Sequence, residues 1–159
     1  MKFAFVALTA LWLCACPVPE PEGDAGTLPD GGPCPKGLVL GTEVDGGFVA
    51  LTDGAPLKIN AGPQGGWHVW VSTEATALPH SGAISYVLRS NSMVVSAPLR
   101  LELDNIVIED IACGWSRRND ALVFNQMGEP FRGTSGELEV TFESPGSAPT
   151  TVKRNVSLF

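Results

Sequence analysis

Only two histidines, His68 and His80, occur among the 159 residues, so any chemistry based on imidazole must use one of them. A hydrolytic triad would combine His80 with Ser81 or Ser135 as nucleophile and Asp120 as the orienting acid. The surrounding residues disfavour it: no G-x-S-x-G elbow is present, and His80 stands in a Pro79-His80-Ser81-Gly82 turn. A copper site of two histidines, a cysteine and a methionine finds its residue types in His68, His80, Cys113 and Met127. Yet the stretch after Cys113 is Gly114-Trp115-Ser116-Arg117-Arg118, with no histidine to close it. Asp104, Glu109 and Asp110 are the nearest carboxylate cluster, without the D-x-[DN]-x-[DN]-G spacing of a calcium loop. Zinc would need two ligands beyond Cys34 and Cys113, and neither CxxC nor HxxxH is present. The expectation is a non-enzymatic chain without metal or cofactor.

Recognition chemistry is better represented. An indole face stacks on the C–H groups of sugar rings, which makes Trp70 and Trp115 candidate platforms; core packing is the alternative for both. Trp70 lies in GGWHVWVS, residues 65–72. Side chains alternate across a strand, so Trp67, Val69 and Val71 share one face and His68, Trp70 and Ser72 the other. The first set is wholly apolar and is expected to point inward. The second, with an imidazole, an indole and a hydroxyl, is the candidate binding face. The reverse register, with Trp70 buried, remains open at this point.

The elements that must position these residues are strands. No stretch of a dozen residues keeps apolar positions at helical spacing without glycine or proline interrupting it. Short β-rich runs separated by turn residues appear instead: Leu38–Val44, Gly47–Thr52, Leu57–Asn60, Trp67–Ser72, Ile84–Arg89, Leu99–Leu103, Ile106–Ala112, Ala121–Phe124, Glu137–Phe142 and Thr151–Phe159. Asp45-Gly46-Gly47 and Asp53-Gly54 supply turns. Leu99, Leu101 and Leu103 share one face of their strand, as do Leu138, Val140 and Phe142 of theirs. One buried and one wet face per strand, without intervening helices, predicts an all-β, antiparallel two-sheet sandwich over residues 34–159.

Cys34 and Cys113 are the only cysteines beyond the first sixteen residues. In an oxidising compartment an even pair reads as a disulfide; two buried free thiols are the other reading. The order Cys34…Trp70…Cys113 loosely resembles the Cys–Trp–Cys pattern of immunoglobulin domains, which implies an immunoglobulin-like architecture. The spacing departs from that family, and Ile111 stands where its tyrosine would be two residues before the second cysteine.

The N-terminal residues MKFAFVALTALWLCAC carry Lys2 and then an eleven-residue run, Phe3 to Leu13, that is apolar but for Thr9. A spanning helix needs about 20 apolar residues, so this run has the length of a secretory h-region. Leu13-Cys14-Ala15-Cys16 resembles the lipobox of bacterial lipoproteins. The resemblance implies a signal peptide over residues 1–15, cleavage before Cys16 and a diacylglycerol on its thiol, so that the protein meets the membrane through an N-terminal lipid. Ordinary secretion with cleavage near Ala15 is the other reading. Pro17 stands where aspartate would retain an enterobacterial lipoprotein at the inner membrane, which points to the outer membrane. Residues 16–33 comprise the lipidated cysteine and a tether rich in proline, glycine and acidic residues, too poor in apolar side chains to fold. With residues 1–15 removed, nine basic side chains face 17 acidic ones, a net charge of −8. That balance argues against nucleic acid as a partner.

The functional expectation is a lipid-anchored, non-enzymatic binding module of the cell envelope, with an envelope protein or a glycan as partner. A structural envelope lipoprotein without a discrete ligand is the alternative, and a metal-binding or hydrolytic domain a remoter one.

Overall fold

The structure, a computed structural model, describes residues 34–63, 65–125 and 131–159. Cys16, the tether and Met127 lie outside the described residues.

Among the described residues, two six-stranded sheets pack face to face. In the first, the order is β2 (Gly47–Ala50), β1 (Gly37–Val44), β5 (Trp67–Thr76), β10 (Gly114–Val123), β9 (Glu109–Ile111), with β4 (Asn60–Ala61) also paired to β5. In the second it is β3 (Ala55–Leu57), β12 (Thr150–Leu158), β11 (Ser135–Glu143), β6 (Ala83–Ser90), β7 (Met93–Val94), with β8 (Leu99–Glu102) also paired to β6. The expected all-β sandwich is therefore present. One pair breaks the antiparallel rule: β3 runs parallel to β12, with Ala55 opposite Val156. The only helical element among the described residues is a 3-10 turn, Leu103–Asn105.

Period-two alternation makes the core. Leu138, Val140 and Phe142 of β11 face Ile84, Tyr86 and Leu88 of β6 in register, and all six are buried. Leu38 and Leu40 of β1 and Val69 and Val71 of β5 close the core from the other sheet. The β1–β2 hairpin turns through Asp45 and Gly46 at φ 51° and 78°, the pair of positive angles a two-residue type I′ loop requires.

Several boundaries differ from the sequence expectation. Leu57–Asn60 is a junction between β3 and β4, not a strand. Ile106–Ala112 contains only the three-residue β9. β10 begins seven residues before the expected Ala121 and carries a bulge between Arg117 and Asp120. One extra residue there reverses the alternation, so Trp115 points inward before the bulge and Leu122 after it, both with no exposed surface.

Cys34 and Cys113 form the disulfide, with Cα atoms 5.7 Å apart. It does not cross between sheets, as the immunoglobulin bridge does. Cys34 leads into β1 and Cys113 into β10, and both strands flank β5, at whose end Gly37 and Gly114 each pair with Thr76. Gly114 is required there, because a Cβ on it would lie 1.8 Å from the Ala75 carbonyl oxygen.

Candidate functional site

The favoured register of GGWHVWVS is the one observed. Val69 and Val71 are fully buried, Trp67 is half-buried against the core, and Trp70 is 42% exposed. The buried tryptophan is Trp115, whose ring packs 5.7 Å from Phe142 of the opposite sheet and whose Nε1 donates to the Pro79 carbonyl at 3.0 Å. Trp115 is therefore core, which corrects its candidacy as an exposed sugar platform.

Ser72 also departs from expectation. It lies on the outer side of β5 with His68 and Trp70, yet it is fully buried. The physical reason is the β10 bulge. Arg118 lies over the Phe48 ring at 5.1 Å and pairs with Glu74 at 3.2 Å and Glu109 at 3.7 Å. The Asn119 amide donates to Ser72 Oγ at 3.1 Å, and its side chain donates to Glu43 at 2.8 Å. Gly41, opposite Ser72, admits the Phe48 ring because a Cβ would sit 2.3 Å from it. The outer face of this sheet is thus half covered, and Ser72 belongs to the covered half.

The open half is built on His68 and Trp70. Their rings meet edge to face, with centroids 4.7 Å apart at 81°, a geometry aromatic quadrupoles favour. Across the ladder stand Ala121 opposite Trp70 and Val123 opposite His68, with Asn60 opposite His68 on the other side. Trp70 forms a ridge between two depressions. One, about 350 Å³, is lined by Gly62, Pro63, Gly66, His68 and Val123 and is almost wholly apolar. The other, about 270 Å³, is rimmed by Thr42, Glu43, Lys58 and Asn60. Sequence reasoning named the ridge but not its walls, which come from the β4–β5 loop, the end of β10 and the β3–β4 junction.

The outer face of the second sheet differs in kind. Arg89, Glu139, Lys153 and Glu137 form a cross-strand ladder, with Glu139 3.0 Å from Arg89 and 2.9 Å from Lys153. Arg100 pairs with Glu102 and Glu143. These charges satisfy one another across β6, β8, β11 and β12.

The other imagined chemistries are not assembled by the fold. His80 lies 3.4 Å from Asp110, while Asp120 is bonded elsewhere, so the triad residues do not converge. Cys113 is taken by Cys34. Glu109 pairs with Arg118, and among the described residues no group of three or more metal-ligating side chains is found.

Asp120 is instead a buried pin between the sheets. Its Oδ1 accepts from Arg117 at 2.8 Å, its Oδ2 accepts from the Tyr86 hydroxyl at 3.0 Å, and Tyr86 reaches Thr73 at 2.9 Å. Burial holds the Asp120 carboxyl above its usual range, against the hydrogen bond and charge of Arg117 and the hydrogen bond from Tyr86. Burial, then the charge of Asp120, holds the Tyr86 hydroxyl well above its own. A raised folded-state pKa contributes stability that is full below the unfolded value of 3.8 and is lost as pH rises through the folded value. Asp120→Asn keeps the shape without the ionisation. The stability of the wild type relative to this variant is therefore expected to fall as pH rises through that window. Glu139, lowered chiefly by its bond to Lys153, has the opposite dependence and cancels in the comparison. Urea melts of both proteins at several pH values check this; a flat or rising difference contradicts it.

Comparison of the chain with family models, with curated proteins and with solved structures finds no match.

Proposed function

We propose that this protein is a lipid-anchored component of a bacterial cell envelope whose sandwich domain is a non-enzymatic binding module, presenting the His68–Trp70 ridge as its recognition surface. The carrying observation is Trp70. In a domain that buries Trp115 completely, an indole 42% exposed, held edge-on by His68 and flanked by two depressions, is apolar area left in water. A rigid, half-exposed indole offers contact area at low entropic cost on binding. The opposite sheet face has a depression of about 500 Å³, but its lining is polar and its charges, Arg89, Glu137 and Lys153, pair with one another.

The anchoring half of the reading rests on Leu13-Cys14-Ala15-Cys16. Two or more acyl chains hold a protein stably at a membrane, so the domain needs no greasy surface for that purpose, and an exposed tryptophan is left for another role. Cys16→Ser is expected to abolish carbonate-resistant membrane retention and incorporation of labelled fatty acid, and Cys14→Ser to leave both intact. Fractionation of the two variants decides it, and equal labelling of Cys16→Ser and wild type would refute the anchor.

A further inference from the structure

Building on the binding-module reading, we propose that the ligand at the Trp70 ridge is a neutral glycan chain, whose sugar rings stack on the indole and run into the depressions on both sides.

Three observations select this class. First, the ridge is amphipathic in the way a pyranose is. The apolar side offers Pro63, the imidazole edge of His68 and Val123, which suit C–H faces. The other side offers Asn60, Thr42, Glu43 and Lys58, donors and acceptors suited to hydroxyls. Two of these are already fixed: Asn60 Nδ2 donates to the Lys58 carbonyl at 3.0 Å, and Glu43 accepts from Asn119 at 2.8 Å. Side chains held before binding lose less freedom on binding.

Second, the charge is balanced. Among the described residues, the side chains of full charge lining the two depressions are Glu43 and Lys58, one of each sign. The mature chain as a whole carries −8, so its field opposes a polyanion. A neutral polymer meets neither penalty.

Third, the surface is divided, with Trp70 bordering both depressions. Val44 and Phe159 border one depression and Val123 the other, with Trp70 between them. A protein partner would require about 800 Å² of continuous surface with a well-packed apolar core. A ridge with a trough on each side matches a chain of rings instead.

The test uses the purified full-length protein and four neutral tetrasaccharides, chitotetraose, cellotetraose, maltotetraose and mannotetraose, with an oligogalacturonate of equal length as the charged control. Binding is read by tryptophan fluorescence and by calorimetry. At least one neutral tetrasaccharide is expected to bind and to shift the Trp70 emission. Trp70→Ala is expected to weaken it by about tenfold or more, and Thr151→Ala, on β12 of the other sheet, to leave it unchanged. Binding to none of the four, binding indifferent to Trp70→Ala, or preference for the oligogalacturonate overturns the glycan assignment. If none of the four binds while Trp70→Ala, in a Cys16→Ser background that carries no lipid, still abolishes retention on isolated envelopes, the glycan class fails and the binding-module reading stands. If Trp70→Ala changes neither, both fail.

Discussion

Trp115→Ala is expected to destabilise the domain by about 3–5 kcal/mol, the range for deleting a large aromatic side chain from a core. Its ring has no exposed surface and bridges the sheets to Phe142. Truncation leaves a cavity and also orphans the Pro79 carbonyl, which accepts from the indole nitrogen. Small domains have about 5–15 kcal/mol in total, so this one change would consume much of the margin. Trp70→Ala, on the outer face of β5, should cost less than about 1 kcal/mol, as surface substitutions usually do. Trp67→Ala should fall between them, because its ring is half-buried. Denaturant melts of the three variants establish the order. A Trp70→Ala cost equal to that of Trp115→Ala would mean that the proposed recognition face is part of the core.

Reducing the Cys34–Cys113 bond, or replacing both cysteines by serine, should lower stability by about 4 kcal/mol on the chain-entropy estimate for its loop. The two residues are 79 apart in sequence, so the bond removes a large share of the freedom of the unfolded chain. It also acts where β1, β5 and β10 meet, beside a glycine whose neighbours leave no space for a side chain. Urea midpoints with and without reductant measure the effect. An unchanged midpoint would show that the strand pairing around Thr76 holds without the bond.

The parts of this fold that could be read from the sequence are those where neighbouring residues carry the signal. Leu138, Val140 and Phe142 alternate with Glu137, Glu139 and Thr141, and that pattern is sufficient to assign both a strand and its buried face. The inward set of GGWHVWVS was legible for the same reason. Trp115 was not. It stands in GWSRRND, where polar residues dominate and the bulge shifts the alternation by one, so period-two reading stops there. The burial of Ser72 depends on Phe48, Arg118 and Asn119, the last of them 47 residues away, and no local pattern encodes that cover. The parallel pairing of β3 with β12 joins residues about a hundred positions apart, and short-range turn signals say nothing of it. The ridge of the candidate site was therefore visible in one strand, while its troughs depend on tertiary packing.

The central claim is that the His68–Trp70 face binds something in the envelope. Its most direct test is retention of the purified protein on isolated cell envelopes, comparing wild type with Trp70→Ala, both carrying Cys16→Ser so that no lipid holds them, after melts have shown the two to be equally folded. The account predicts that wild type sediments with the envelopes and that Trp70→Ala loses about tenfold or more of its apparent affinity. Equal retention of the two proteins, or retention of neither, would contradict it.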